Sequence, residues 1–231
     1  MMKVNYFGQS CFLLEISGTK ILFDPFITPN ELAKDIDVEQ INCDYILVSH
    51  GHEDHVADLV TIAKRTKAKV VSSFEIIAWL GKQGVENGHP MNLGGSWNFD
   101  FGKVKMVYAA HSNSLPDGTY AGTAAGFVIE ADGKTLYYAG DTALMQEMKL
   151  TGELFNIDYA FLPIGDNFTM GVSDAIIAAN FIKCKNIIAM HYDTFGYIKV
   201  DHDQAKQTFA EAGLQLNMLN ISDQDRDAKE L

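Results

Sequence analysis

The sequence predicts an α+β fold in which two mixed sheets pack against each other and helices cover their outer faces. Short apolar runs of strand type recur in both halves of the chain, and predicted helices separate only some of them. No linker-like or low-complexity segment divides the 231 residues. We therefore expect a single domain spanning residues 1–231, with a polar tail from about residue 222 that frays.

Apolar runs and turn signals predict the individual elements. The predicted strands are residues 4–6, 12–16, 21–24, 45–49, 70–72, 104–109, 125–130, 135–139, 159–162 and 187–190. The predicted helices cover residues 56–67, 74–82 and 174–182, and a further helix starts near Asp201 and ends at Gly213. Ser173 is expected to cap the third of these helices, and Asp201 with Gln204 forms a capping-box-like start for the fourth.

Composition and charge narrow the range of functions. A formal net charge of −12 argues against nucleic acid or an anionic membrane as the partner, because both bind clustered Lys and Arg. No run approaches the roughly 20 apolar residues of a membrane span, and the first residues do not resemble a signal peptide. Cys11, Cys43 and Cys184 form no C-x-x-C pair and are typical of buried apolar side chains. We expect a cytoplasmic protein that acts on a small molecule.

The strongest chemical signal is the segment from His50 to His55, which reads His-Gly-His-Glu-Asp-His. Imidazole and carboxylate are good ligands for zinc and other first-row divalent metals. His50 and His52 are two residues apart, so an extended loop puts both rings on one side. Asp54 and His55 follow at the turn into a predicted helix and can face a second ion. Gly51 is expected to let the backbone bend tightly between the ligands.

Three further ligand candidates lie at the ends of predicted strands. His111 follows the strand 104–109, Asp141 follows the strand 135–139 through Gly140, and His191 follows the strand 187–190. Taken singly, each is more typical of a capped strand end than of a metal ligand. Strand ends on one edge of a sheet converge, however, and a two-metal site needs about six or seven protein ligands. These three residues complete such a set.

In this order, the H-x-H-x-D-H motif, the lone His, the Asp after Gly and the final His resemble the metallo-β-lactamase superfamily. More narrowly, residues 91–96, 137–142, 162–171 and 190–194 resemble a group of bacterial and archaeal metal-dependent hydrolases. The resemblance covers the chain from about Val4 to Leu219. It implies the four-layer αββα sandwich of that superfamily, with two mixed sheets and helices outside.

The resemblance also implies a binuclear metal site. It assigns His50, His52 and His111 to the first metal, Asp54, His55 and His191 to the second, and Asp141 to a bridging position between them. An aspartate at position 141 and a histidine at position 52 both favour a hydrolase over a redox centre. The implied cofactors are two divalent metal ions, with zinc expected and Mn, Fe or Ni as alternatives.

The expected activity is hydrolysis of an ester, lactone or related bond in a small molecule. Two cations can share a water and lower its pKa toward about 7, so that a hydroxide bridging the metals attacks the substrate. Asp54 and Asp141 are the expected catalytic residues, because their negative charge offsets the repulsion between the cations. An anionic substrate stays open, since bound cations make the site locally positive. A homo-oligomer is also compatible with the sequence.

Two alternatives of different kinds stay open beside this activity. One is a phosphodiesterase that acts on a nucleotide or lipid-like headgroup. The other is a non-hydrolytic di-metal protein with a redox or metal-binding role. Metal analysis together with an oxygen-consumption assay distinguishes the second alternative from a hydrolase.

Several other polar residues have weaker signals. Asp24 is expected either to orient a ligand histidine, as the resemblance implies, or simply to begin a turn before Pro25. Glu53, His89 and His202 are more typical of solvated or structural side chains than of functional ones. The side chains that could line a substrate cleft, since they lie in loops at strand ends, are Asn167, Thr169, Tyr192, Asp193 and Thr194.

Overall fold

Two seven-stranded sheets lie face to face in the computed structural model, which describes residues 2–222 and 228–231. The first sheet contains β1 (Met2–Gly8), β2 (Cys11–Ile16), β3 (Thr19–Phe23), β4 (Tyr45–Leu47), β5 (Lys69–Ser73), β6 (Gly88–Met91) and β14 (Lys229–Glu230). The second contains β7 (Ser96–Phe99), β8 (Gly102–Tyr108), β9 (Ala125–Ala131), β10 (Lys134–Tyr138), β11 (Tyr159–Pro163), β12 (Asn186–Met190) and β13 (Gln215–Asn217).

Both sheets repeat one pairing scheme. In the first, β1, β2 and β3 pair antiparallel, and β4, β5 and β6 then add in parallel. In the second, β8, β9 and β10 pair antiparallel, and β11, β12 and β13 add in parallel. Asp24 follows the third strand of the first series, and Asp141 follows the third strand of the second series. The two aspartates therefore follow corresponding strands of the two sheets.

Helices cover the outer face of each sheet. They are α1 (Glu53–Val56), α2 (Leu59–Thr66), α3 (Phe74–Lys82), α4 (Glu147–Leu154), α5 (Val172–Phe181) and α6 (His202–Glu211). Helices α2 and α3 pack on the first sheet, and α4, α5 and α6 pack on the second. The predicted four-layer αββα sandwich is confirmed. Within residues 2–222 and 228–231, no helix is both long enough and apolar enough to cross a bilayer.

The side chains of one strand contribute to two apolar clusters, one on each face of the first sheet. Phe12 and Leu14 of β2 face the second sheet, where the ring centroids of Phe12 and Phe161 are 5.0 Å apart. Leu13 lies between them in sequence and joins the opposite cluster, under helices α2 and α3. Successive side chains of a strand point to opposite faces. Because both faces are covered, the strand is apolar except for Glu15 and its polarity does not alternate.

Two helix predictions were wrong in detail. The predicted helix 56–67 is broken into α1 and α2 before Leu59, at Asp58. The Asp58 carboxylate accepts hydrogen bonds from the backbone N–H groups of Ile27 and Thr28, at 2.6 and 2.9 Å. Ser173 does not cap α5, since the helix begins one residue earlier and its cap residue is Gly171, without a side-chain hydrogen bond. The prediction that Asp201 begins α6 is confirmed by its hydrogen bond from the Gln204 N–H.

Elements without a regular apolar pattern were not predicted. Strand β6 contains Gly88 and Pro90, which usually mark loops, and β7 is largely exposed. Strand β13 and helix α4 also lacked a clear signal. The end of the predicted frayed tail is ordered, because Lys229 of β14 pairs with Val4 of β1. The rest of that prediction, on residues 223–227, falls outside the described residues.

Gly152 of α4 marks a close approach to the end of α5. A Cβ atom at this position would meet the carbonyl oxygen of Phe181 and lie 2.7 Å from the Cα of Ile182. Both are backbone atoms, so they cannot rotate away. We expect the Gly152→Ala substitution to lower the free energy of unfolding by about 1–3 kcal/mol, although alanine is the better helix former.

Gly81 of α3 provides a matched control. Among the described residues, no atom outside its chain neighbours and its own helix backbone lies within 4 Å of the place where its Cβ would stand. The Gly81→Ala substitution is therefore expected to raise the free energy of unfolding by up to about 1 kcal/mol. Urea denaturation of the two variants measures both effects. Equal stabilisation by the two substitutions would contradict the close contact at Gly152.

Candidate metal centre

Seven side chains with nitrogen or oxygen donors converge at one end of the two sheets. Five of them lie in the loops that follow β4, β8, β10 and β12, and Asp54 and His55 lie in the short helix α1. They form two groups, within each of which the donor atoms lie within 4.8 Å of one another: His50, His52 and His111; and Asp54, His55, Asp141 and His191. These are the seven residues that the sequence singled out, and the structure brings all of them together.

Asp141 connects the two groups. Its Oδ2 atom lies 2.9 Å from His191 Nε2, 3.3 Å from His55 Nε2, 3.7 Å from His111 Nε2 and 4.0 Å from His50 Nε2. The carboxylate is almost completely buried, with 2% of the side chain exposed. One oxygen atom therefore stands among four imidazole rings that come from three different loops.

Gly140 gives Asp141 this position. Its φ of +63° lies in the left-handed region that glycine adopts without strain. A Cβ at Gly140 would also lie 2.5 Å from the carbonyl oxygen of Ala125 and 3.1 Å from Ser49 Cβ. On the other side of Asp141, Thr142 Oγ1 accepts a hydrogen bond from the Ala110 N–H at 3.0 Å. The loop of Asp141 is thereby tied to the loop of His111.

Asp24 is a buried acceptor behind the centre. Its Oδ1 accepts from the Ser49 N–H at 2.7 Å, and its Oδ2 lies 2.6 Å from Ser49 Oγ and 2.9 Å from His55 Nδ1. The Tyr138 hydroxyl lies 2.7 Å from the same Oδ2. Of the two expectations for Asp24, the structure matches the orienting contact with a histidine. The residue does more than begin a turn.

Asp24 determines the tautomers of two histidines. His55 donates Nδ1–H to Asp24 directly, so its Nε2 lone pair faces Asp141. The single hydroxyl hydrogen of Ser49 points to Asp24, which leaves Ser49 Oγ to accept from His50 Nδ1 at 3.0 Å. His50 consequently also directs its Nε2 lone pair into the centre. One carboxylate thus orients a ring in each of the two groups.

His52 differs from His50 and His55, because it turns its Nδ1 atom, and not its Nε2 atom, toward His50. Its Nδ1 lies 3.0 Å from His50 Nε2, while its Nε2 lies 3.4 Å from Ser112 Oγ. The Asn113 amide oxygen accepts from the Gly51 N–H at 2.7 Å and holds the backbone between the two rings. Gly51 does not have a positive φ; instead, a Cβ there would stand 3.0 Å from Ala121 Cβ. Its small size, and not a tight bend, is what the site requires.

Gln9 is a site residue that the sequence analysis missed. Its side-chain Nε2–H donates to Asp54 Oδ2 at 2.8 Å, and its backbone oxygen accepts from the His191 N–H at 2.7 Å. Tyr6 donates its hydroxyl to the same backbone oxygen at 3.1 Å. Gln9 lies in the β1–β2 turn, and nothing in its immediate sequence distinguishes it from an ordinary polar turn residue. Ser49 and Tyr138 were also missed, because nothing in their immediate sequence distinguishes them from other residues of the predicted strands.

Three residues of the centre have strained backbones. Gln9, Asp24 and His191 have φ values of +53°, +40° and +54°. Such conformations cost non-glycine residues on the order of 1 kcal/mol each, and they cluster at functional sites. Here the hydrogen bonds of Asp24 and the bond from His191 to Gln9 hold the strained backbone in place.

Burial keeps the first group neutral. It lowers the pKa of His50 well below its ordinary value, and it also lowers the pKa of His52 and of His111. Neutral imidazole is the form that binds a metal ion, because its lone pair is free. These three rings are therefore in the protonation state that coordination requires.

The second group concentrates negative charge. Burial alone would raise the pKa of the Asp54 and Asp141 carboxyl groups, but His55 and His191 lower both pKa values well below the usual range. In return, the carboxylates overcome burial and raise the pKa of His55 well above its ordinary value and that of His191 to about 9. Positive charge must balance this group, either as protons on the two rings or as a bound cation.

Among the described residues, His55 Nε2 and Asp141 Oδ1 are two of several buried atoms at the centre without a hydrogen-bond partner, and they indicate whether protons or a cation balance the charge. His55 Nε2 lies 3.5 Å from Asp54 Oδ2 and 3.3 Å from Asp141 Oδ2 without hydrogen-bond alignment, and Asp141 Oδ1 has no partner. A buried polar atom left unpaired costs about 1–3 kcal/mol. Donor atoms that face one another without bonding are satisfied together by a common cation. The residues present therefore fit a divalent metal ion.

A cleft of about 1000 Å³ opens beside the centre. Its floor includes His52, Asp54, His111, Asp141 and His191. The remaining lining residues are Phe26, Pro29, Glu53, Ser112, Phe168, Thr194, Phe195, Gly196 and Tyr197. The centre is therefore accessible to a small molecule.

Only some of the residues with weaker sequence signals line the cleft. Of the five loop residues expected to line it, Thr194 does so, whereas Asn167 and Thr169 flank the lining residue Phe168. Tyr192 is buried. His89 lies in strand β6, not in a loop, and packs against the rings of Trp97 and Phe99.

Two other candidates, Asp193 and His202, contact each other and thereby hold the loop after β12 in place. His202 Nε2 lies 2.6 Å from Asp193 Oδ2, a structural role that the sequence predicted for His202. The aromatic residues of the cleft were not predicted as site residues. Isolated aromatic residues in loops carry no local signal of this kind.

The chain matches proteins of known family. Residues 3–191 match the beta-lactamase superfamily domain. A UPF0173 metal-dependent hydrolase from Methylacidiphilum infernorum is 54% identical over 222 residues, which cover 96% of this chain and 98% of that protein. A relative with the same description from Christiangramia forsetii is 52% identical over 223 residues, with the same coverage.

A solved structure of a metallo hydrolase is also similar to this chain. A metallo hydrolase from the archaeon Ignicoccus hospitalis superposes with a TM-score of 0.88 at 34% sequence identity, over 99% of this chain and 97% of that chain. The likeness covers both sheets and all four loops that carry the candidate centre. The chain therefore belongs to the metallo-β-lactamase superfamily and, like these relatives, is a metal-dependent hydrolase.

Proposed function

We propose that the chain holds two divalent metal ions and hydrolyses an ester, lactone or related bond in a small molecule. In this assignment the first ion is held by His50, His52 and His111, the second by Asp54, His55 and His191, and Asp141 is shared by both. The observation that carries the proposal is the position of Asp141 Oδ2, which lies within 4.0 Å of histidine nitrogens from both groups.

Distances between donor atoms support the ligand assignment. Ligand atoms around one tetrahedral zinc ion, with bonds of about 2.0–2.2 Å, lie about 3.3–3.6 Å apart. His55 Nε2 lies 3.3 Å from Asp141 Oδ2 and 3.5 Å from Asp54 Oδ2, and His191 Nε2 lies 3.5 Å from Asp54 Oδ2. These three distances suit one ion, whereas His191 Nε2 and Asp141 Oδ2, which are 2.9 Å apart, would have to separate slightly on binding it.

The donor types suit zinc as one of several divalent metals. All seven donors are imidazole nitrogens or carboxylate oxygens, which suit zinc and also Mn, Fe and Ni. The cysteines Cys11, Cys43 and Cys184 are buried elsewhere and belong to neither group. Two such ions supply a water of lowered pKa and polarise the bond that is cleaved.

The chain's own residues prepare the centre for this chemistry. Asp24 holds a proton on His55 Nδ1 and, through Ser49, on His50 Nδ1, so both rings keep their Nε2 atoms free. Gln9 holds Asp54 by its Oδ2 atom. The negative charges of Asp54 and Asp141 offset repulsion between neighbouring cations.

Outside the proposed metal ligands, the side chains that line the cleft favour an ester or lactone over the phosphodiester alternative. Among the described residues that line it, none is Lys or Arg, the side chains that usually bind phosphate groups. Glu53 instead adds a negative charge to the rim. A cleft of about 1000 Å³ suits a small molecule.

The first test is removal of the shared carboxylate. Asp141→Ala is expected to reduce the metal content of the purified protein from two ions per chain to one or none, and to lower kcat for ester or lactone hydrolysis at least about 1000-fold. The cause is loss of the carboxylate that the proposal places between the two ions. Elemental analysis and an assay of zinc-loaded protein with esters and lactones measure the two effects.

Asp174→Ala is the matched control, because Asp174 is an exposed aspartate on α5 outside both groups. It should retain both metal ions and full activity. Wild-type activity in the Asp141→Ala protein would refute the bridging assignment. Iron content with oxygen consumption and no hydrolysis by the unsubstituted protein would favour the redox alternative.

A second test concerns the hydrogen bonds behind the centre. Ser49→Ala removes the link between His50 Nδ1 and Asp24 and leaves every proposed ligand in place. Loss of such a contact typically lowers metal affinity about 10–100-fold, and competition with a zinc chelator measures it. Ser72→Ala is the control, since Ser72 is also buried but donates to the Val48 carbonyl oxygen. Equal zinc affinities of the two variants would contradict a role for Ser49 in orienting His50.

A further inference from the structure

Four of the residues that line the cleft are aromatic, and they come from three separate loops. Phe26 follows β3, Phe168 follows β11, and Phe195 and Tyr197 follow β12. We call these four residues the aromatic wall. They line the same cleft as Asp141 and His191 of the proposed metal centre.

The rings of the wall contact each other in pairs. Phe26 and Phe195 have centroids 6.3 Å apart at an interplanar angle of 54°, and Phe168 and Tyr197 have centroids 6.2 Å apart at 77°. Phe168 is 50% exposed and Tyr197 78% exposed. Aromatic side chains at this exposure, next to a reactive centre, leave apolar surface available to a ligand.

The loop that carries Phe195 and Tyr197 is fixed at its base. Asp193 accepts from the Val200 N–H at 3.0 Å through its side chain and donates its own N–H to the Ile198 oxygen at 2.8 Å. Lys199 Nζ donates to the Asp193 carbonyl oxygen at 2.8 Å. These bonds close the loop on both sides of the two rings. This part of the wall is therefore held in place before a ligand arrives, which lowers the entropic cost of binding.

The charge of the cleft restricts what the wall can bind. Apart from the proposed metal ligands, the described lining residues include the carboxylate of Glu53 and no ammonium or guanidinium group. The only Lys of the neighbouring loop, Lys199, is engaged with a backbone oxygen. A negatively charged group placed against the wall would find no countercharge on a side chain.

We propose that the aromatic wall is the specificity subsite of the substrate, and that it binds an uncharged planar apolar group, such as a phenyl ring, next to the bond that is hydrolysed. This inference rests on the proposed hydrolytic function and specifies its substrate class. Ring faces and edges in the wall favour offset or edge-to-face contact with an aromatic group. The same group would exclude water from the cleft beside Asp141 and His191.

The test compares two neutral esters, methyl phenylacetate and methyl acetate, on the zinc-loaded protein. The unsubstituted protein is expected to prefer the phenyl ester by at least about tenfold in kcat/KM. Phe168→Ala and Tyr197→Ala should each reduce this preference by about three- to tenfold, the usual effect of one aromatic contact. Phe74→Ala is the control, because Phe74 is 61% exposed but lies outside the cleft. It should leave the preference unchanged.

Equilibrium binding gives a readout that does not depend on hydrolysis. The dissociation constant of phenylacetamide, an uncharged amide, is measured by NMR titration of the same proteins. It should rise about three- to tenfold in Phe168→Ala and Tyr197→Ala and stay constant in Phe74→Ala. Hydrolysis without any preference for the phenyl ester, together with unchanged binding in the wall variants, would overturn the inference and leave the hydrolytic function standing. Weaker binding in the wall variants without hydrolysis of either ester would support the subsite and contradict the proposed ester hydrolysis.

Discussion

Burial of the Asp141 carboxylate is the constraint on which the centre depends. Only 2% of Asp141 is exposed, and an unpaired carboxylate in a protein interior costs several kcal/mol. The surrounding histidines cannot compensate for it while they are neutral, since a neutral ring carries no net charge. Positive charge is required at this position, and the imidazole nitrogens that face Asp141 are arranged to share it. The neutral first group and the carboxylate-rich second group are complementary parts of the proposed two-metal centre.

The sheets and the loops contribute different parts of this site. The third strand of each pairing series delivers one buried aspartate, Asp24 from the first sheet and Asp141 from the second. Asp24 acts from behind and orients His50 and His55, while Asp141 stands in the middle of the donors. The loops after the strands supply the histidines and, farther out, the aromatic wall. Rigid strands therefore fix the centre, and the loops determine what can reach it.

The sequence predicted the fold and the seven candidate ligands because the segment from His50 to His55 has a strong local signal and the weaker signals of His111, Asp141 and His191 follow it in the order that the family resemblance implies. Apolar runs identify most strands, and the spacing from His50 to His55 with polar residues after three other strands identifies the donors. What could not be predicted depends on contacts between distant positions. Gln9 and Asp54 are 45 residues apart in sequence, and the helix predicted over 56–67 breaks because Asp58 binds the backbone of Ile27. The aromatic wall likewise exists only once three loops meet.

The most direct measurement of the central claim is anomalous diffraction from crystals of the zinc-loaded protein, recorded on both sides of the zinc absorption edge. The account predicts two anomalous peaks about 3.5–4 Å apart, one beside His50, His52 and His111 and one beside Asp54, His55 and His191, with Asp141 in contact with both. A single peak, or peaks that Asp141 does not touch, would contradict it.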